Sequence, residues 1–187
     1  MHDRQTIIKW AKGLFTQDNW VILDTETTGL EAHAEIVELS IIDKNGSVLF
    51  DSFIRPHNPI PHEATKIHGI TNEMVRNSPT FPQVWQNVLA IFQQNPTAII
   101  YNADFDYLKL RHAAKTHGLL LPDLSLHCLM KLYSHYYGLC GNANNCSCRW
   151  HKLEVACQQM GIAINARHRA LADAKLTLEL LKAIANL

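Results

Sequence analysis

The sequence predicts an α/β protein built on a mixed five-stranded sheet with helices on its faces. Three observations predict it. Strand-like apolar runs follow one another from Trp20 to Ile54 with only short links between them, which reads as a three-strand antiparallel meander. From Phe81 onward, stretches with helical spacing alternate with short apolar strands, which adds parallel strands to the sheet. The chain has 187 residues, 47% of them hydrophobic and 18% charged, enough to bury one full core.

Each element has its own signal. Ile7, Ile8, Ala11, Leu14 and Phe15 recur at helical spacing, so residues 1–18 read as an N-terminal helical extension of a single domain spanning 1–187. Strand one is expected over about Trp20 to Thr25, turned by Thr27-Thr28-Gly29. Strand two is expected over Ile36 to Ile42 and strand three over Ser47 to Ile54. Lys44-Asn45-Gly46 joins them as a hairpin, because Asn-Gly accepts the positive φ angles of a tight turn. His62 to Ile67 reads as a short helix stopped by Gly69, and Thr71 can cap another that runs through Met74. Phe81, Val84, Trp85, Val88, Leu89 and Phe92 form the stripe of a longer helix. Ala98 to Tyr101 is strand four, and Phe105, Leu108 and Leu110 open a helix stopped by Gly118. Leu124 to Cys128 is strand five, leading into a helix that ends near Tyr137. Residues 134–151 hold a Cys- and Asn-rich loop or insertion. The helices Leu153 to Met160 and Ala170 to Ile184 finish the chain.

Seventeen basic residues offset seventeen acidic ones. That balance excludes the bulk positive charge of a protein that coats long nucleic acid, and leaves room for an enzyme that grips a few nucleotides locally. The N-terminus has no long apolar run and no stretch reaches the length of a membrane span. Five cysteines in a chain of this size read as reduced thiols, and the expected location is cytoplasmic. Cys140, Cys146 and Cys148 cluster and are candidates for a structural zinc site. Their C-x5-C-x-C spacing departs from paired C-x-x-C knuckles, and a loop of reduced thiols is the competing expectation.

The chemistry lies in acids at element ends. Val21 to Leu30 reads VILDTETTGL, and strand alternation puts Asp24 and Glu26 on one face. Adjacent carboxylates repel, and a divalent cation such as Mg²⁺ or Mn²⁺ would relieve the repulsion; a solvated acidic turn is the alternative. In YNADFD, Asp104 and Asp106 fall in the first turn of a helix, where a favourable cap is the plain reading and a ligand the other. In HRALAD, Asp173 shares a helix face with the small residues Ala170, Ala174 and Thr177. That face can approach a sheet closely, and a carboxylate on it needs a cation or donors. His168 precedes the helix, either as a base or as an ordinary loop histidine.

Taken together, DTETTGL, NADFD and H-x4-D resemble the three ordered motifs of the DEDDh group of 3′→5′ exonucleases, in the ribonuclease-H-like superfamily. The resemblance is strongest to the proofreading ε subunit of bacterial DNA polymerase III and its stand-alone relatives. IHGIT at Ile67 to Thr71 adds to it, and the whole spans Trp20 to Leu180. The resemblance implies a ribonuclease-H-like fold and hydrolysis of DNA from the 3′ end, preferentially single-stranded or frayed, to nucleoside 5′-monophosphates. It implies two Mg²⁺ or Mn²⁺ ions on Asp24, Glu26, Asp106 and Asp173, with Asp24 shared, and His168 as general base. It implies substrate contacts from Thr25, Thr27, Gly29, Leu30, His68, Ile70, Asn102 and Phe105. A DNA polymerase or a replication or repair complex is the implied partner. An exoribonuclease or oligonucleotidase acting on RNA is one alternative, and a non-catalytic nucleic-acid-binding or scaffold subunit is the other. The chain departs from the family pattern at Tyr101, where histidine is common, and in the long 134–151 segment.

Overall fold

The computed structural model describes residues 4–138, 149–164 and 168–187. β1 (Trp20–Thr27) is the middle strand of a five-stranded sheet. β2 (Ile36–Asp43) pairs antiparallel with it, and β3 (Val48–Phe53) pairs antiparallel with β2. On the other side β4 (Thr97–Ile100) lies parallel to β1, and β5 (Ser125–Cys128) parallel to β4, so the order is β3-β2-β1-β4-β5. The meander and the added parallel strands are those the sequence predicts.

The β2–β3 turn forms as its residues dictate. Gly46 has φ +87, the Asp43 and Ser47 backbones close the loop at 3.0 Å, and the Asp43 carboxylate accepts from the amides of Asn45 and Ser47 at 2.8 Å.

Helices cover both faces. α1 (Arg4–Phe15), α6 (Leu129–Tyr136), α7 (Leu153–Gln159) and α8 (Ala170–Ala185) pack with Trp20, Ile22, Ile42 and Ile99 on one face. α4 (Phe81–Gln94) and α5 (Ala103–Thr116) pack with Val21, Leu23, Ile41 and Ile100 on the other. Residues of β1 therefore alternate strictly between the two cores. The short helices α2 (His62–His68) and α3 (Asn72–Val75) close a third, smaller cluster around Val37, Ile60 and Ile70.

One detail differs from the sequence expectation: β1 runs two residues further, because its ladder continues through Glu26–Glu38 and, after a bulge, Thr27–Ile36. α1 is built into the main core: Ile7, Ala11 and Leu14 are buried, and the Trp20 indole donates to the Leu14 carbonyl at 2.9 Å. α6 ends at Tyr136, close to the expected Tyr137, with Ser134 buried and its hydroxyl donating to Met130. Cys140, Cys146 and Cys148 lie outside the described residues. Among those described, Cys128 and Cys157 are free thiols, and no helix is long and apolar enough to cross a membrane.

Gly46→Ala should destabilise the protein by about 1–2 kcal/mol, the cost of a Cβ in a left-handed conformation. Urea unfolding monitored by circular dichroism measures it, and Gly46→Asn should lose less.

Candidate active site

The alternation of β1 sorts its polar residues as it sorts its apolar ones. Trp20 and Ile22 face α8, so Asp24 and Glu26 face α8 too. α8 comes close because Ala170, Ala174 and Thr177 on its sheet-facing side are buried. Asp173 sits on that side one turn into the helix. One oxygen from each of Asp24, Glu26 and Asp173 lies within 4.8 Å of the others.

Thr25 faces the opposite way, toward α5, and there it meets Asp106. The Asp106 Oδ1 accepts from the Thr25 amide at 3.0 Å and from its hydroxyl at 2.7 Å, and the residue is 4% exposed. Asn102 starts α5, its carbonyl accepting from the Phe105 and Asp106 amides. Asp104, by contrast, turns away and pairs with Lys131 at 2.6 Å. Asp24, Glu26, Asp106, Asp173 and His168 line one cleft of about 190 Å³, together with Thr25, Tyr101, Asn102 and Phe105.

The electrostatics of this cleft are unfavourable for the bare protein. Burial pushes the Asp24 carboxyl well above the ordinary range, and Asp106, Asp173, Glu26 and Glu38 push it further. Glu26 is raised to about 8, first by burial and then by Asp173 and Glu38. Asp106 is raised to about 7 by burial, against the opposing pull of the two Thr25 donors. Carboxylate oxygens so close together and so poorly neutralised form a donor set that could hold a hard divalent cation.

His168 has φ +55, the only positive value at a non-glycine among the described residues. Its amide donates to Asp173 Oδ2 at 3.2 Å, and its Nε2 lies 3.7 Å from the Glu154 carboxylate of α7. The next residue anchors the segment. Arg169 donates through Nε and Nη2 to Glu38 at 2.6–3.1 Å, and the Ala170 amide donates to the same carboxylate at 2.9 Å. Glu38 is 3% exposed and stands opposite Glu26 in the β1–β2 ladder. Sequence reasoning missed Glu38, Arg169 and Glu154. A signal existed for Glu38, a charged residue inside the otherwise apolar IVELSII.

The expected substrate contacts divide into two groups. Leu30 is 79% exposed and Phe105 opens on the cleft. At Gly29 the Glu31 carboxylate packs where a side chain would stand, and the Gly29 carbonyl accepts from the Thr27 hydroxyl at 2.8 Å. His68 and Ile70 are buried at 5% and 0% and do not form an open wall. The Ile70 amide donates to His68 Nδ1 at 3.0 Å, so the ring proton sits on Nε2 and is donated to the Thr27 carbonyl at 3.2 Å. They brace β1 from behind. Burial holds the His68 imidazole below its ordinary pKa. Lys109, also missed, is fully buried, donates to the Leu30 carbonyl at 3.1 Å and to Glu31, and lies over the Phe105 ring at 4.7 Å. Tyr101 donates its hydroxyl to the His151 carbonyl at 2.7 Å and so ties β4 to the segment before α7.

The raised carboxyls make stability depend on pH. Glu26 and Asp106 bind protons more tightly folded than unfolded, so their contribution is full below the unfolded pKa and is lost as pH rises toward 7–8. The melting temperature of the metal-free protein should therefore fall by several degrees between about pH 5 and pH 8. Added Mg²⁺ or Mn²⁺ should restore it, and Glu26→Gln should flatten the slope. Scanning calorimetry in chelator-treated buffer checks all three.

Comparison with known proteins agrees with this geometry. The exonuclease family profile matches residues 21–181. An uncharacterised exonuclease of Escherichia phage 186 is 40% identical over 189 residues, covering 97% of this chain and 95% of that one. The DNA polymerase III ε subunit of Pasteurella multocida is 30% identical over 175 residues, and the match covers 83% of this chain and 64% of the subunit. A PolC-type DNA polymerase III of Caldanaerobacter subterraneus is 30% identical over 168 residues, but the chain spans only 11% of that polymerase. Among solved structures, exonuclease X in complex with 5′-overhanging duplex DNA superposes with a TM-score of 0.66 at 26% identity, covering 89% of this chain and 91% of the other. The chain belongs to the exonuclease family, with a ribonuclease-H-like fold.

Proposed function

We propose that this protein is a 3′→5′ exonuclease that shortens single-stranded DNA ends and releases nucleoside 5′-monophosphates. The observation that carries this reading is the convergence of Asp24, Glu26 and Asp173 within 4.8 Å, in one cleft with Asp106 and His168. Two divalent cations held by these four acids would supply Lewis acidity and charge neutralisation for phosphodiester hydrolysis. The protein's own groups do the rest. His168, its side chain 37% exposed at the cleft, takes a proton from the attacking water as the oxygen joins phosphorus. The P–O3′ bond breaks, its electron pair stays on O3′, and protonation leaves a new 3′-hydroxyl on the shortened strand. The Thr25 donors fix the Asp106 carboxylate, and the Glu38–Arg169 clamp holds the His168 backbone in its left-handed turn.

Thr25, Asn102 and Phe105 line the cleft with the acids, and the exposed Leu30 follows the strand that carries Asp24 and Glu26. In this reading the cleft takes one terminal nucleotide, with Leu30 against its base. The polymerase relatives support a partnership with a DNA polymerase or a replication or repair complex.

Asp24→Ala, Glu26→Ala, Asp106→Ala and Asp173→Ala should each abolish nearly all hydrolysis while the protein stays folded, and the metal-free Asp24→Ala and Glu26→Ala variants should melt no lower than the parent. Asp104→Ala should be mild. His168→Ala should reduce kcat by roughly 10²–10⁴, the range of a lost general base. An equal loss from Asp104→Ala and none from Asp106→Ala would overturn the assignment of Asp106.

The direction of cleavage tests the whole reading. A 5′-labelled strand should shorten one nucleotide at a time on a denaturing gel, a 3′-phosphate should block it, and a matched RNA should be cut more slowly. Cleavage of a circular single strand, or release of the 5′ nucleotide first, would sink it.

A further inference from the structure

Apart from the acidic cleft, a groove of about 890 Å³ lies between the segment 33–36, the segment 54–58, the start of α4 and the end of α5. Its composition is two-layered. Ile36, Ile54 and Phe81 line it with side chains no more than 5% exposed, an apolar floor. Its rim carries His33, Arg55, His57, His112 and His117, and the His117 ring stacks on Phe81 at 6.4 Å between centroids. The one acid of the lining is Glu35, and its carboxylate is already engaged by the His57 and Asn58 amides at 2.6 and 2.9 Å. The walls are built rather than loose: the same Glu35 contacts tie the 54–58 segment to β2, and the Arg55 amide ties it to Pro79 at 2.9 Å.

The groove also has a definite relation to the cleft. Ile36 on its floor is the ladder partner of Thr27, which adjoins Glu26. Along α5, His112 and His117 lie roughly 9–16 Å beyond Asp106, at the rise of an α-helix. Between them the backbone of Leu30 and Glu31 crosses α5, fastened by Lys109, with the exposed Leu30 side chain on top. At about 3.4 Å per stacked nucleotide, the span corresponds to roughly three to five nucleotides.

We propose that this groove is a second substrate subsite, which takes the nucleotides upstream of the scissile bond in a single-stranded DNA. The strand leaves the cleft over Leu30, lays its bases on the Ile36–Ile54–Phe81 floor and sets its phosphates against the imidazoles and the Arg55 guanidinium. An apolar floor under a rim of imidazole nitrogens and one guanidinium, with the one acid of the lining already engaged, offers phosphate oxygens hydrogen-bond donors and bases an apolar surface without reading sequence. The proposal rests on the exonuclease reading of the cleft for the strand it continues.

Two measurements separate the groove from the cleft. Steady-state kinetics with Mg²⁺ on single-stranded DNA, from dinucleotide to decanucleotide, should show KM falling about tenfold or more with length while kcat stays level. In His57→Glu/His112→Glu, KM for the decanucleotide should rise at least tenfold, with kcat and the dinucleotide KM unchanged. His57→Glu alone, at an exposed position, should give a smaller rise in the same direction and guards against misfolding of the double variant. Anisotropy of a labelled decanucleotide in EDTA should show the same loss of affinity, and a shallower dependence of log Kd on log salt. Equal decanucleotide KM and Kd in parent and variants, or a KM that ignores length, would overturn the groove and leave the cleft standing. Binding that the variants weaken, in a protein that cuts nothing, would uphold the groove and overturn the cleft. Tighter binding of a matched RNA than of DNA would overturn the assignment to DNA.

Discussion

Repulsion among carboxylates is the constraint on which the rest of this structure depends. Asp24, Glu26 and Asp106 are gathered beside Asp173 where burial and neighbouring charge both raise their carboxyls. No gain in folding explains such a cluster, since replacing Asp24 or Glu26 would relieve repulsion. The protein holds it by rigid construction. A middle strand paired on both sides carries two of the acids, a small-residue helix face carries the third, and two donors from Thr25 carry the fourth. Stability is given up locally for a site that attracts cations, the usual exchange at functional centres.

Period-two alternation lets one strand serve all of these demands. Even-numbered residues of β1 begin as core under α8 and end as acids facing Asp173. Odd-numbered residues begin as core under α4 and α5 and end as the threonine that orients Asp106. A one-residue slip of β1 would exchange the two sets and destroy both core and site together. The bulge at Glu26–Thr27 is placed after the last acid, where it turns Thr27 and the following loop without disturbing the register behind them.

The same logic explains what the sequence reveals. The β1 acids, Asp106 and Asp173 were legible because each sits at a fixed offset within a local pattern, and so was the sheet, whose strands announce themselves by apolar runs and an Asn-Gly turn. Glu38 and Arg169 were not, because their meaning is a bidentate pair joining residues 131 positions apart. Lys109 reads as a surface lysine on a helix until the loop it fastens is in view, since only there do two carbonyls and the Phe105 face take up its charge. His68 and Ile70, expected in a pocket wall by resemblance with a packed loop as the alternative, are both buried. The turn at Gly69 folds the histidine inward to hydrogen-bond the Thr27 carbonyl, a consequence of tertiary packing that spacing does not encode.

The Glu38–Arg169 pair also clarifies how a histidine comes to sit in a left-handed turn. A positive φ at a residue with a Cβ persists only where its surroundings over-determine it. Here they do so on both sides: Asp173 takes the His168 amide, and Glu38 takes the Arg169 side chain and the Ala170 amide. Glu38 is itself an acid facing the cluster and adds to the repulsion on Asp24 and Glu26. Arg169, which holds it, pulls the Glu26 carboxyl the other way, so one buried pair both offsets part of the repulsion in the acid cluster and fixes the residue proposed to work on it. Removing the arginine would leave an unpaired carboxylate at the centre of the repulsion, which is a larger disturbance than the loss of one surface cation.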